Sequence, residues 1–101
     1  MENLQSKTAE LAQEYGLSAP AIARYADVVS EIGELGKELL VGSNYGAAEL
    51  KITDSTAIEM GDVLFSLAML ANCLDLDMAA CFEAAVEKYR ARFGQAGQVG
   101  S

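Results

Sequence analysis

"IEMGDVLFSLAMLANCL", residues 58–74, carries two carboxylates, Glu59 and Asp62, in a stretch that is otherwise almost wholly apolar. Ile58, Met60, Val63, Leu64, Phe65, Leu67, Ala68, Met69, Leu70, Ala71 and Leu74 leave no polar face at the helical period. Such a helix has to be covered on most of its sides. One small chain covers one face of it well and hardly two, so an all-α bundle completed by a second copy is expected.

Working outward, three more helices can be read and no convincing strand. The first runs from about Glu2 to Tyr15 and stops at Gly16. Ser18 reads as the N-cap of the second, with Pro20 in its first turn, and that helix continues to Val41. Its apolar stripe is Tyr25, Val28, Ile32, Leu35 and Leu39. The connection "GSNYGAAELKITD" (42–54) is turn-rich and has room for one short helical turn. Asp54 or Ser55 caps the third helix, which extends to about Leu74. Asp77 caps the fourth, which ends before Gly94. A single domain over 1–93 and a flexible polar tail over 94–101 follow, with no internal repeat or linker.

Composition sets the outer limits. Of 101 residues, 51% are hydrophobic and 22% charged, the balance of a globular domain. A net charge of -8 with no histidine argues against binding nucleic acid or an anionic membrane. Polyanionic substrates would need local cations or a metal ion. Cys73 and Cys81 sit in apolar helical patterns and read as buried, inert thiols. The first residues hold no apolar leader, and no uninterrupted apolar run reaches the length of a membrane span, so a soluble cytoplasmic protein is expected.

The acids carry the chemistry. In "EIGELGKELL" (31–40), Glu31, Glu34 and Glu38 stack in one helical column beside the stripe of Ile32, Leu35 and Leu39. Like charges at these spacings weaken an isolated helix slightly. Glu59 and Asp62 repeat the i, i+3 pattern on the third helix. Gly33 and Gly61 lie inside these helices, where glycine costs about 1 kcal/mol and often marks close approach of a backbone or ligand. Two such helices packed together would converge four carboxylates. All-oxygen donors suit a hard cation, Mg²⁺ or Mn²⁺, with one carboxylate left to orient or deprotonate a water. The alternative is that these acids are the solvated rims of amphipathic helices, and spacing alone leaves both readings open. A histidine-bearing di-iron bundle is set aside, since its ligands are absent.

"EIGELGKELL", followed by "AIEMGDVLFSLAMLANCLDLDM" (57–78) and "EKYRARF" (87–93), resembles the MazG-like branch of the all-α nucleoside triphosphate pyrophosphohydrolases. The likeness covers roughly residues 24–93, and its specificity lies in the order of motifs rather than in ExxE alone. It implies a four-helix bundle of that type, completed as a homodimer or homotetramer. It implies Mg²⁺-dependent hydrolysis of a (deoxy)nucleoside triphosphate to the monophosphate and pyrophosphate, a nucleotide-pool-cleaning activity. Glu31, Glu34, Glu59 and Asp62 would be the metal ligands and catalytic acids. Lys88 and Arg92, one turn apart, would grip phosphates. Asn72 would contact substrate or satisfy a buried backbone group, and Glu38 would stand behind the metal or on a solvated rim. Base recognition would draw on the first helix and the neighbouring subunit, where this chain has no Trp and only Tyr15 and Tyr25 as early aromatics. Two alternatives stay open: a relative acting on deoxyuridine nucleotides or phosphoribosyl-ATP, and a non-catalytic helical dimerisation module.

Overall fold

A computed structural model describes residues 2–96, with the side chains of 4–94. It contains α1 (Glu2–Glu14), α2 (Ala21–Gly42), α3 (Asp54–Cys73) and α4 (Met78–Ala96), and no strand among the described residues. The all-α expectation holds. Most of the tail assigned as flexible, residues 97–101, lies outside the described residues, but α4 itself continues past Gly94 to Ala96.

The helix ends follow backbone chemistry more closely than the expected caps. Gly16, at φ +63°, terminates α1, and the Leu17 amide donates to the Ala12 carbonyl at 2.8 Å. Ser18 does not cap α2. Pro20 holds the N-cap position in extended conformation, and its carbonyl accepts from the Ala23 and Arg24 amides at 3.0 and 3.2 Å. Proline disfavours helical conformation in the residue before it, so α2 does not begin earlier than Pro20. At α3 the cap is Thr53, not Asp54 or Ser55: Thr53 and Thr56 each bond the other's backbone amide. Asp77 caps α4 as expected, its Oδ1 accepting from the Ala80 amide at 3.2 Å.

The connection holds no right-handed turn. Asn44, Tyr45 and Gly46 are consecutive left-handed residues, at φ 51°, 59° and 86°. The Ser43 hydroxyl donates back to the Leu39 carbonyl at 2.8 Å and accepts from the Gly46 amide at 3.0 Å. The Lys51 amide then donates to the Gly42 carbonyl at 3.0 Å and closes the loop. A Cβ at Gly42 would stand 2.8 Å from the Lys51 carbonyl oxygen, so this glycine is fixed by close backbone approach.

Helix α3 packs chiefly on α2 and less extensively on α1, while α4 makes sparse contact with the rest. Val28, Val63, Ala68 and Met69 form the core, with Thr8 and Thr56 buried beside them. By length and composition α3 would suffice to cross a membrane. It nevertheless carries Glu59 and Asp62 and lies against two helices, the place of a core helix. The radius of gyration is 16.8 Å, against about 13 Å for a compact chain of this length. Ile58 is 65% exposed and Phe82 62%, so the covering expected for α3 is not supplied by the chain itself. For the same reason the cysteines are not buried: Cys73 and Cys81 are both free and exposed.

One side chain ties α4 to the others. Gln5 Nε2 donates to Asn72 Oδ1 at 2.9 Å and to the Leu76 carbonyl at 2.7 Å. Its Oε1 accepts from the Met78 amide, the first of α4, at 2.7 Å. Asn72 Nδ2 returns a bond to the Gln5 carbonyl at 3.2 Å. Between these elements α3 ends in a Schellman turn, with Asp75 left-handed at φ 57° and the Leu76 amide donating to the Ala71 carbonyl at 2.9 Å.

Candidate active site

The α2–α3 contact brings the two acidic motifs together. Carboxylate oxygens of Glu31, Glu59 and Asp62, all half-buried, lie within 4.8 Å of one another. Neighbouring ligands on an octahedral Mg²⁺ stand about 3 Å apart and opposite ones about 4 Å, from metal–oxygen distances of about 2.1 Å. The three oxygens therefore need only a small inward adjustment to share one ion, and their chemistry suits a hard cation. Glu34 is exposed and outside this group, although its charge reaches Glu59.

Crowding is visible in the acid–base behaviour of the site. The Glu59 carboxyl is held above its ordinary pKa, first by partial burial and then by the hydrogen bond it shares with Asp62. The negative charges of Asp62, Glu34 and Glu31 add to the effect. No Lys or Arg forms an ion pair with the cluster among the described residues, where the single ion pair is Arg24–Asp27. A cation would relieve what the chain's own side chains leave unbalanced.

The remaining expected residues are placed differently. Glu38 is half-buried and outside the converging group. Lys88 and Arg92 are exposed on α4 and pair with no carboxylate; Lys88 Nζ lies 4.7 Å and the Arg92 guanidinium carbon 5.5 Å from the centre of the Tyr89 ring. Tyr89 in turn stacks on Phe93, with ring centres 6.2 Å apart. The α4 cations and aromatics thus form a cluster of their own. Asn72 uses its amide on Gln5, accepting from the side chain and donating to the backbone carbonyl. Gly33 and Gly61 mark no close approach within the chain: an added Cβ at either meets nothing within 4 Å, because both face open surface beside the acids.

Two residues escaped the sequence reading. Gln5 carries no signal beyond helix propensity. Arg24 carried one, since it sits seven residues before Glu31 and therefore on nearly the same helix face. Its half-buried side chain lines a cavity of about 310 Å³ together with Asp27, Glu31, Phe65, Ser66 and Met69.

Residues 2–95 match the profile of the MazG nucleotide pyrophosphohydrolase domain. A curated relative, the uncharacterized protein YpjD of Bacillus subtilis (strain 168), is 36% identical over 74 residues. That match covers 70% of this chain and 65% of the relative, just under two thirds of its length. No solved structure matches.

Proposed function

Because this chain belongs to the MazG nucleotide pyrophosphohydrolase family, we propose that it hydrolyses a (deoxy)nucleoside triphosphate to the monophosphate and pyrophosphate with a divalent cation, Mg²⁺ or Mn²⁺. The observation that carries this reading is the convergence of Glu31, Glu59 and Asp62 from two separate helices onto one small volume. Those three residues would hold the cation. When bound, it screens the phosphate charge and makes a nearby water more acidic. Glu34, outside the triad but beside it, accepts the proton as that water attacks phosphorus. The phosphoanhydride bond between the α and β phosphates breaks, and the bridging oxygen leaves with whichever product is not attacked, giving the monophosphate and pyrophosphate. Lys88 and Arg92 offset the remaining phosphate charge.

Within one chain α4 stands apart from the carboxylates, so this arrangement calls for a second copy. Packing two chains through the exposed faces of α3 and α4 would cover Ile58, Leu67, Leu74 and Phe82 and supply the compactness that one chain lacks. A soluble, cytoplasmic homodimer or homotetramer is the assembly we assign.

Pyrophosphate release from a panel of ribo- and deoxynucleoside triphosphates, with Mg²⁺ or with EDTA, tests the activity. The wild type turns over at least one of them and EDTA stops it. Glu34→Gln and Asp62→Asn remain folded and lose turnover. Full activity in both variants would remove the site assignment. Absence of both metal binding and turnover would favour a non-catalytic module.

A further inference from the structure

Arg24 lies two turns before Glu31, in a chain with only seven Lys and Arg. Its side chain is 15% exposed, whereas that of Asp27 is 59% exposed. From Nη1 to Asp27 Oδ2 the distance is 3.7 Å, longer than a hydrogen bond. Among the described residues no hydrogen bond engages the guanidinium, and none of its nitrogens is sealed from solvent without a partner. Up to five donors in a rigid fork are therefore available at the rim of the cavity that also holds Glu31. Arg24 and Met69 form the wall between this cavity and a second one of about 280 Å³, which opens toward Leu17 and Ser18.

The order of groups along this cavity matches the order of groups along a nucleotide. Phosphates belong at the carboxylate triad, where a cation is held. Asp27, one turn from Glu31, would repel a phosphate but accepts readily from a sugar hydroxyl, and Ser66 lines the same wall. Half-buried Phe65 offers an apolar face. Arg24 stands about 10 Å from Glu31 along the helix axis, the reach of a base beyond its α-phosphate. The guanidinium fork pairs best with two neighbouring acceptors, as on the O6 and N7 edge of guanine or the O2 and N3 edge of cytosine.

The geometry points to this cavity as the subsite for the nucleoside half of the substrate, with Arg24 as the residue that selects the base. It favours guanine and cytosine, which present paired acceptors, over adenine and uracil. This assignment rests on the nucleotide reading above, but it places base selection between α2 and α3 of one chain instead of on first-helix aromatics.

Calorimetric binding of guanosine, adenosine, cytidine and uridine 5′-monophosphates to the full chain with Mg²⁺ tests it without requiring turnover. Guanosine and cytidine monophosphates are expected to bind more tightly than the other two. Arg24→Ala should weaken those two complexes between about fivefold and about a hundredfold, the range one bidentate base contact supplies, and leave the other two largely unchanged. Arg24→Lys keeps the charge without the fork and should rank the bases as the alanine variant does. A wild type without preference for guanine and cytosine, equal weakening for all four nucleotides, or no effect of either substitution would overturn the assignment. Arg24-dependent ranking without hydrolysis of any triphosphate would support the subsite while removing the hydrolase reading. Hydrolysis without such ranking would overturn the subsite alone.

Discussion

Replacing Gln5 with alanine removes one side chain that makes three hydrogen bonds to two other elements, at 2.9, 2.7 and 2.7 Å. A net value of about 1 kcal/mol per bond applies to the part-buried contacts with Asn72 and the Met78 amide. The Leu76 carbonyl bond is exposed, so water replaces much of it. The total is a loss of about 2 kcal/mol, or about 8–16 °C in Tm for a domain of this size. The loss should be concentrated at the start of α4, because the Met78 amide is bonded to this side chain alone outside the helix. Urea unfolding followed by circular dichroism, at fixed protein concentration, measures the global term. Amide hydrogen exchange at Met78 measures the local one. Gln5→Glu sharpens the test: it retains an acceptor for Met78 but turns a carboxylate toward the Asn72 and Leu76 oxygens, near Asp75 and Asp77. That variant should be weaker than alanine at pH 7 and recover as the pH falls. A Gln5→Ala protein within about 0.5 kcal/mol of wild type, the usual range of neutral surface changes, with unchanged protection at Met78, would refute the clamp.

Other expectations concern the carboxylates and the backbone. The Glu59 pKa is higher in the folded chain than in the unfolded one, so the native state binds that proton more tightly. Metal-free stability should therefore fall as pH rises from about 4.3 through the raised value. Stabilisation by added Mg²⁺, which needs the deprotonated carboxylates, should grow across the same window in thermal melts. Glu59→Gln should melt higher than wild type at pH 7 without metal and lose the response to Mg²⁺; a lower melting point would contradict the crowding. Gly42→Ala sets a Cβ 2.8 Å from the Lys51 carbonyl oxygen and should cost about 1–3 kcal/mol in chemical denaturation. Asp75→Gly relieves a left-handed residue at φ 57° and should add about 0.5–1 kcal/mol.

Helix periodicity and acid spacing were legible because each is local. An apolar run with Glu59 and Asp62 one turn apart defines α3, and the column at Glu31 needs only the helical repeat to border the core. What spacing could not place was Glu34, which has the same i, i+3 relation to Glu31 that Asp62 has to Glu59. The crossing of α2 over α3 admits one of the α2 pair and leaves the other outside. Helix starts were missed where two neighbouring positions compete: Thr53 prevails over Asp54 through its reciprocal bond with Thr56, and Pro20, two residues on, displaces Ser18 through backbone restriction. The cysteines were misread because apolar patterning reports which faces tend to be covered, and in α3 and α4 the covering is not drawn from the same chain. Gln5 was illegible for a simpler cause. Its partners are distant in sequence, and nothing in its neighbours points to them.

That distance has a consequence for how the chain is made. Gln5 bonds to residues 67, 71 and 73 positions downstream, which leave the ribosome about 3–15 s later at ordinary elongation rates. Until then α1 is a 13-residue helix, a length marginal in water by itself. Helices α2 and α3 adjoin in sequence and can pair as soon as both have emerged. Helix α1 can thus settle on α3 early, but the clamp at Gln5 closes only when the turn that opens α4 has followed.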